Sequence, residues 1–159
     1  MGPSEPRDPI AILLLPVALE AFALREQVER LRRVRGVVAV DPPRVSYAKL
    51  TGLPEAVVDV LAARQGRRLV RSLRQRVGEP RVVVVFAAAQ YPLARVVLGL
   101  CAGSELWYWR AGPPESDERP RQLEALAAER ARLVAVGPDE DPERLWDRLE
   151  DVGIDLAVR

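Results

Sequence analysis

Hydrophobic positions fall along this chain in two alternating styles: short unbroken apolar runs, and longer stretches with an apolar residue every three or four positions. The unbroken runs are Ile10–Leu15, Val37–Val40, Val82–Phe86 and Leu133–Val136, and Glu105–Arg110 adds Leu106, Trp107, Tyr108 and Trp109. Short apolar runs of this kind, bounded by turn formers, predict strands buried on both faces. Val82–Phe86 is the clearest, five β-favouring residues in a row. The periodic stretches predict helices. One begins at Leu19 and carries Phe22, Val28, Leu31 and Val34, with Gly36 closing it. A long one begins near Pro54 and carries Val57, Val60, Leu61, Leu69, Val70 and Leu73; Pro92–Leu100 and Arg121–Arg130 follow. The last begins at Asp141-Pro142-Glu143, a good cap with Pro and an acid in the first turn, and runs through Leu145, Leu149 and Val152 to Gly153.

Pro16, Asp41-Pro42-Pro43, Gly78-Glu79-Pro80 and Gly103 punctuate the pattern, and the stretch through Tyr47 and Thr51 reads as a loop. With Ile154–Val158 as an additional candidate, five or six strands alternate with five helices. Such alternation, with strands apolar throughout, implies right-handed βαβ units. The expected fold is therefore three-layer α/β/α, with a Rossmann-like or flavodoxin-like parallel sheet of 5–6 strands. The strand order is not encoded in this pattern. Residues 1–9 are polar and Pro-rich and read as a flexible tail. Residues 10–159 read as a single α/β domain.

Composition changes the picture mainly by exclusion. A chain of 159 residues, 48% hydrophobic and 30% charged, is long enough for one well-buried core without a disulfide or metal. Net charge is +1, so no whole-molecule field favours nucleic acid or an anionic membrane. The basic residues are all Arg except Lys49, a bias of GC-rich coding that weakens any single Arg as a phosphate signal. There is no His, which removes Ser–His and Cys–His nucleophile pairs, an imidazole shuttle and His-ligated zinc. The lone Cys101, in the apolar run Val96–Cys101, reads as an inert buried thiol. No segment has the pattern of a signal peptide or a membrane span, and a cytoplasmic location is expected.

In parallel sheets, ligands sit outside the carboxyl ends of the strands. Those ends here are Pro16 to Leu19, Asp41 to Arg44, Ala87 to Pro92, Arg110, and Gly137 to Asp139. The chain has no GxGxxG and no GxxxxGK[ST], so dinucleotide and P-loop chemistry are not expected, and no cofactor is assigned. Asp41 with Asp139, Glu140 and Asp141 would bind Mg²⁺ only if they converged on one edge; otherwise they are a strand-ending turn and a helix cap. No metal site is assigned. Charge is uneven: Arg64–Arg81 holds seven Arg and one acid, and Glu115–Asp151 holds twelve acids and six Arg. The basic stretch reads as a solvated helix face, or as a patch for a phosphate or an acidic partner. Trp107 and Trp109 share one strand face, Tyr108 the other, as core residues or as a stacking platform.

The stretch Pro80–Arg110 carries Val82–Phe86, then Gln90-Tyr91-Pro92-Leu93-Ala94-Arg95, then Glu105-Leu106-Trp107-Tyr108. It resembles part of the N-terminal Rossmann-like domain of bacterial GT-B-type glycosyltransferases, in which a Val-rich strand runs into a QYPLAR-like turn and an ELWY strand follows. The GT-B architecture has a second Rossmann-like domain holding most nucleotide-sugar contacts, and this chain has no room for it. The resemblance therefore implies a glycosyltransferase-like single domain, catalytically incomplete alone. It would bind a nucleotide-sugar or glycan ligand, or a partner, through Gln90, Tyr91, Arg95, Arg110 and Asp41. Catalytic residues are not assigned. The alternative is a non-catalytic regulatory or protein-interaction module with a flavodoxin-like fold, using a protein partner or a second copy through the Arg64–Arg81 helix or the Trp107/Trp109 face. A weaker third reading is a small-molecule enzyme using carboxylates and a metal.

Overall fold

Each unbroken apolar run becomes a parallel strand: β1 (Pro9–Leu14), β2 (Val37–Val40), β3 (Glu79–Val85), β4 (Glu105–Arg110) and β5 (Leu133–Val136). The helices are α1 (Arg25–Arg32), α2 (Tyr47–Thr51), α3 (Glu55–Arg76), α4 (Tyr91–Leu100), α5 (Glu118–Arg130) and α6 (Pro142–Asp151). The structure is a computed structural model, and it describes residues 8–44, 46–110, 117–136 and 142–154. Asp139, Glu140, Asp141 and most of the candidate strand Ile154–Val158 lie outside the described residues. So do residues 1–7 of the expected tail; Pro9 already belongs to β1.

The sheet order is β2-β1-β3-β4-β5, which is the flavodoxin-like one of the two expected arrangements. Period-two alternation divides the strands between two cores. Ala11, Leu13, Val82, Val84, Phe86, Trp107 and Trp109 face Val28 and Leu31 of α1 and Leu149 of α6. Ile10, Ile12, Leu14, Val83, Val85, Leu106 and Tyr108 face α3, α4, Tyr47 of α2 and Ala127 of α5. This is the three-layer α/β/α fold that the sequence pattern implies.

Local departures from the pattern have identifiable causes. The first helix does not start at Leu19: a short 3-10 turn (Leu19–Ala21) ends at Phe22, whose backbone is extended, and α1 begins three residues later. Phe22 and Leu24 are both buried in the same core, which residues two apart on one helix could not be. Phe22 meets Phe86 edge-on at 4.9 Å. Strand β3 begins at Glu79 rather than Val82, because Pro80 is accommodated where the β1–β3 register shifts, between Ile10 and Ala11. Tyr47–Thr51 is a helical turn, capped by Ser46, whose hydroxyl accepts from Lys49 N at 3.3 Å. Gly36 keeps an ordinary backbone conformation and is needed for space, since a Cβ there would lie 2.7 Å from Ile154 Cγ2.

Candidate functional site

In the order 2-1-3-4-5 the topological switch point lies between the carboxyl ends of β1 and β3, where ligands of such sheets bind. Here a side chain occupies it. Gln90 ends the 3-10 turn Ala88–Gln90 after β3 and is fully buried. Its Oε1 accepts from Phe86 N at 2.7 Å and Ala87 N at 3.1 Å, and its Nε2 donates to Leu14 O at 2.6 Å. The amide therefore satisfies backbone groups that the diverging strands leave unpaired, and it staples β1 to β3. Tyr47 packs beside it. Burial pushes the Tyr47 hydroxyl up to about 12, an effect the neighbouring Gln90 amide partly offsets.

The open space at this edge lies one strand over. A cleft of about 500 Å³ between the carboxyl ends of β1 and β2 is lined by Leu15, Ala18, Leu19, Glu20, Arg32, Ala39, Asp41 and Pro42. Glu20, Arg32 and Asp41 place two carboxylates and a guanidinium at the wall, none of them bonded to a described residue. Such a set offers acceptors for hydroxyls and a fork for a phosphate.

Of the five residues singled out in the sequence, Asp41 alone lines this cleft. Gln90 is the staple, and Tyr91, the first residue of α4, is buried in the core against the sheet. Arg95 is exposed and pairs with Asp59 of α3 at 3.1 Å. Arg110, at the end of β4, pairs with Glu124 of α5 at 3.2 Å, and its Nε is buried with no partner among the described residues. The structure thus does not gather them at one site. Arg32 and Glu20 escaped the sequence reading. Arg32 sits in the last turn of a helix, where a basic residue already has a reason to be.

Other polar clusters tie elements together. Glu105 accepts from Trp107 Nε1 at 2.7 Å and from Arg148 Nε and Nη2 at 3.0 and 2.9 Å, joining β4 to α6. Arg74 donates to both Glu79 oxygens at 2.7 and 2.8 Å and to Leu100 O at 2.9 Å, joining α3, β3 and α4. Burial pushes the nearby Cys101 thiol up to about 11, the opposite of an activated nucleophile. Trp107 and Trp109 are buried, so they form core and not a stacking platform. Among the described residues no group of three acids or thiols converges in a metal-binding arrangement, and no helix is long and apolar enough to cross a membrane. Comparison with known protein families, with curated proteins and with solved structures finds no match for this chain.

Proposed function

We propose that the chain is a binding domain of the glycosyltransferase-like kind, catalytically incomplete alone, that takes a sugar- or nucleotide-type ligand in the β1/β2 cleft. The observation carrying this reading is the cleft itself. It lies at the carboxyl edge of a parallel sheet, and its volume of about 500 Å³ falls within the roughly 300–1,000 Å³ of small-molecule sites. Asp41 accepts from ligand hydroxyls, Arg32 holds a phosphate or a ring oxygen, and Glu20 closes the rim. The resemblance of Pro80–Arg110 to the acceptor-side domain of GT-B enzymes supports the ligand class. A cytoplasmic setting belongs to the same reading.

A thermal-shift screen tests it, with nucleotide sugars and free nucleotides, with and without Mg²⁺. A ligand at about 100 times its Kd adds roughly 2.7 kcal/mol, or about 5–10 °C for a chain of this size. The expected result is a shift with one nucleotide class that disappears in Asp41→Ala and in Arg32→Ala, both at exposed positions whose own stability stays near that of the parent. A flat screen, or a shift that survives both substitutions, overturns the proposal.

A further inference from the structure

The outward side of α3 carries a stripe that the fold does not use. The inward positions of this helix, Val58, Ala62, Gly66, Val70 and Leu73, recur every three or four residues and are buried. At about 100° per residue, the positions on the far side of the helix include Val57, Val60, Arg64, Arg67 and Arg71. All five are exposed, Val57 at 43% and Val60 at 60%. Leu53, just ahead of the helix, continues the apolar end at 37%. Arg64, Arg67, Arg68 and Arg71 pair with no described residue, and beyond Asp59 the helix contains no acid. The helix dipole accounts for basic residues in the last turn, Arg74 and Arg76, but its effect fades before the middle of the helix. A groove of about 400 Å³ runs beside the stripe, lined by Arg67, Val70, Arg71 and Leu100 among others.

We infer that this stripe is a docking surface for an acidic amphipathic helix of another protein. Its apolar positions would cover Val57 and Val60, and its carboxylates would follow Arg64, Arg67 and Arg71. The stripe spans about 21 Å at 1.5 Å per residue, four turns of a partner helix. Charge selects the occupant. A second copy of the same stripe would set arginine against arginine or against valine. The acidic residues Asp147, Glu150 and Asp151 of α6 are exposed but lie in the opposite layer, so copies joined through them would form an open chain. No aromatic side chain on the stripe is available to stack on bases, as single-stranded nucleic acid would require. The surface belongs to the layer opposite α1, and the inference is independent of the cleft reading.

Fluorescence anisotropy with a labelled synthetic helix tests this, carrying Leu at two positions and Glu at the next three on the same repeat. The expected outcome is binding at least about tenfold tighter than that of a scrambled peptide of equal composition. Affinity should fall as salt rises from about 0.1 to about 1 M, where the screening length shrinks from about 10 to about 3 Å. The triple variant R64E/R67E/R71E should lose binding, and V57S/V60S should weaken it while keeping the salt dependence; both should retain the parent's circular dichroism. Absence of binding by the unmodified chain overturns the inference, as does equal affinity for the scrambled peptide or for an oligouridylate RNA. Sedimentation showing open-ended self-association that R64E/R67E/R71E relieves would assign the stripe to a second copy instead.

Discussion

Gln90 illustrates how one side chain can decide what an edge of a sheet is for. Its amide answers three backbone groups, one at the end of β1 and two just after β3. Replacing it with Leu keeps the bulk but leaves Phe86 N, Ala87 N and Leu14 O unsatisfied. Buried orphaned groups cost about 1–3 kcal/mol each, and partial relaxation should bring the net loss to about 3 kcal/mol. For a chain of this size Tm should fall by roughly 6–12 °C, measured by calorimetry. An unchanged Tm would mean that the loop after β3 supplies its own partners. Tyr47 and Cys101 make a second residue-scale prediction. Both are acids whose folded value is raised, from 10.0 to about 12 and from 9.0 to about 11, so the folded state keeps its protons longer than the unfolded chain. Their contribution to stability is therefore complete below about pH 9 and is lost as pH rises towards 12, by up to about 3 kcal/mol for Tyr47 and by less for Cys101, whose thiolate Arg74 partly stabilises. Urea midpoints between pH 8 and pH 11 should fall, and Tyr47→Phe should flatten that fall. A parallel decline in the variant would remove Tyr47 as a cause.

At the scale of elements, the long helix α3 lies against α4 through Gly66. A Cβ there would come within 2.5 Å of Val96 Cγ1 and 3.0 Å of Val96 Cβ. Gly to Ala inside a helix ordinarily gains about 1 kcal/mol. Crowding of this degree in a packed interface costs about 1–3 kcal/mol, and Val96 is β-branched and cannot swing aside. Gly66→Ala should therefore be destabilising by about 1 kcal/mol, and Gly66→Ala with Val96→Ala should recover most of the loss. A double-mutant cycle by chemical denaturation reads the coupling directly, and additive effects would rule out the close approach. The same helix shows what a linear reading can and cannot extract. Its existence followed from the apolar periodicity, but its inward face did not. Of the positions read as apolar, Val70 and Leu73 are buried while Val57 and Val60 are exposed, and Val58, Ala62 and Gly66 turn inward instead. Neighbouring valines and small residues let more than one face fit the same period. Its glycine was silent in the sequence, because the residue it accommodates is thirty positions away. The short helix at Tyr47–Thr51 was missed as too brief for a period, although Ser46 three residues before Lys49 is the spacing of a cap.

For the whole molecule, the order β2-β1-β3-β4-β5 puts β1 and β3 inside, each paired on two sides, with β2 and β5 at the edges. Amides of Ile12, Leu13, Val83 and Val84 should be the last to exchange with deuterated solvent, and those of β5, where Val134 is half exposed, among the first of the strands. Equal protection of β5 and β3 would argue for a covered edge. The strands, the layered class and the burial of Cys101 were determined by the sequence alone, because apolar runs, their alternation and the lack of polar partners act locally along the chain. Asp41 was legible as a residue of the sheet's carboxyl edge, where it lines the cleft, because it directly follows a strand. The rest was decided by tertiary structure. Only the strand order makes β1 and β3 neighbours, which turns Gln90 from a candidate ligand contact into a staple. Only the layering brings Glu124 to Arg110 and Asp59 to Arg95, spending charges that looked available, while Arg32 and Glu20 reach the cleft beside Asp41. Pairing between elements distant in sequence leaves no trace in any local pattern, and at this sheet edge such pairing separates the side chains tied into the structure from those that line the open cleft.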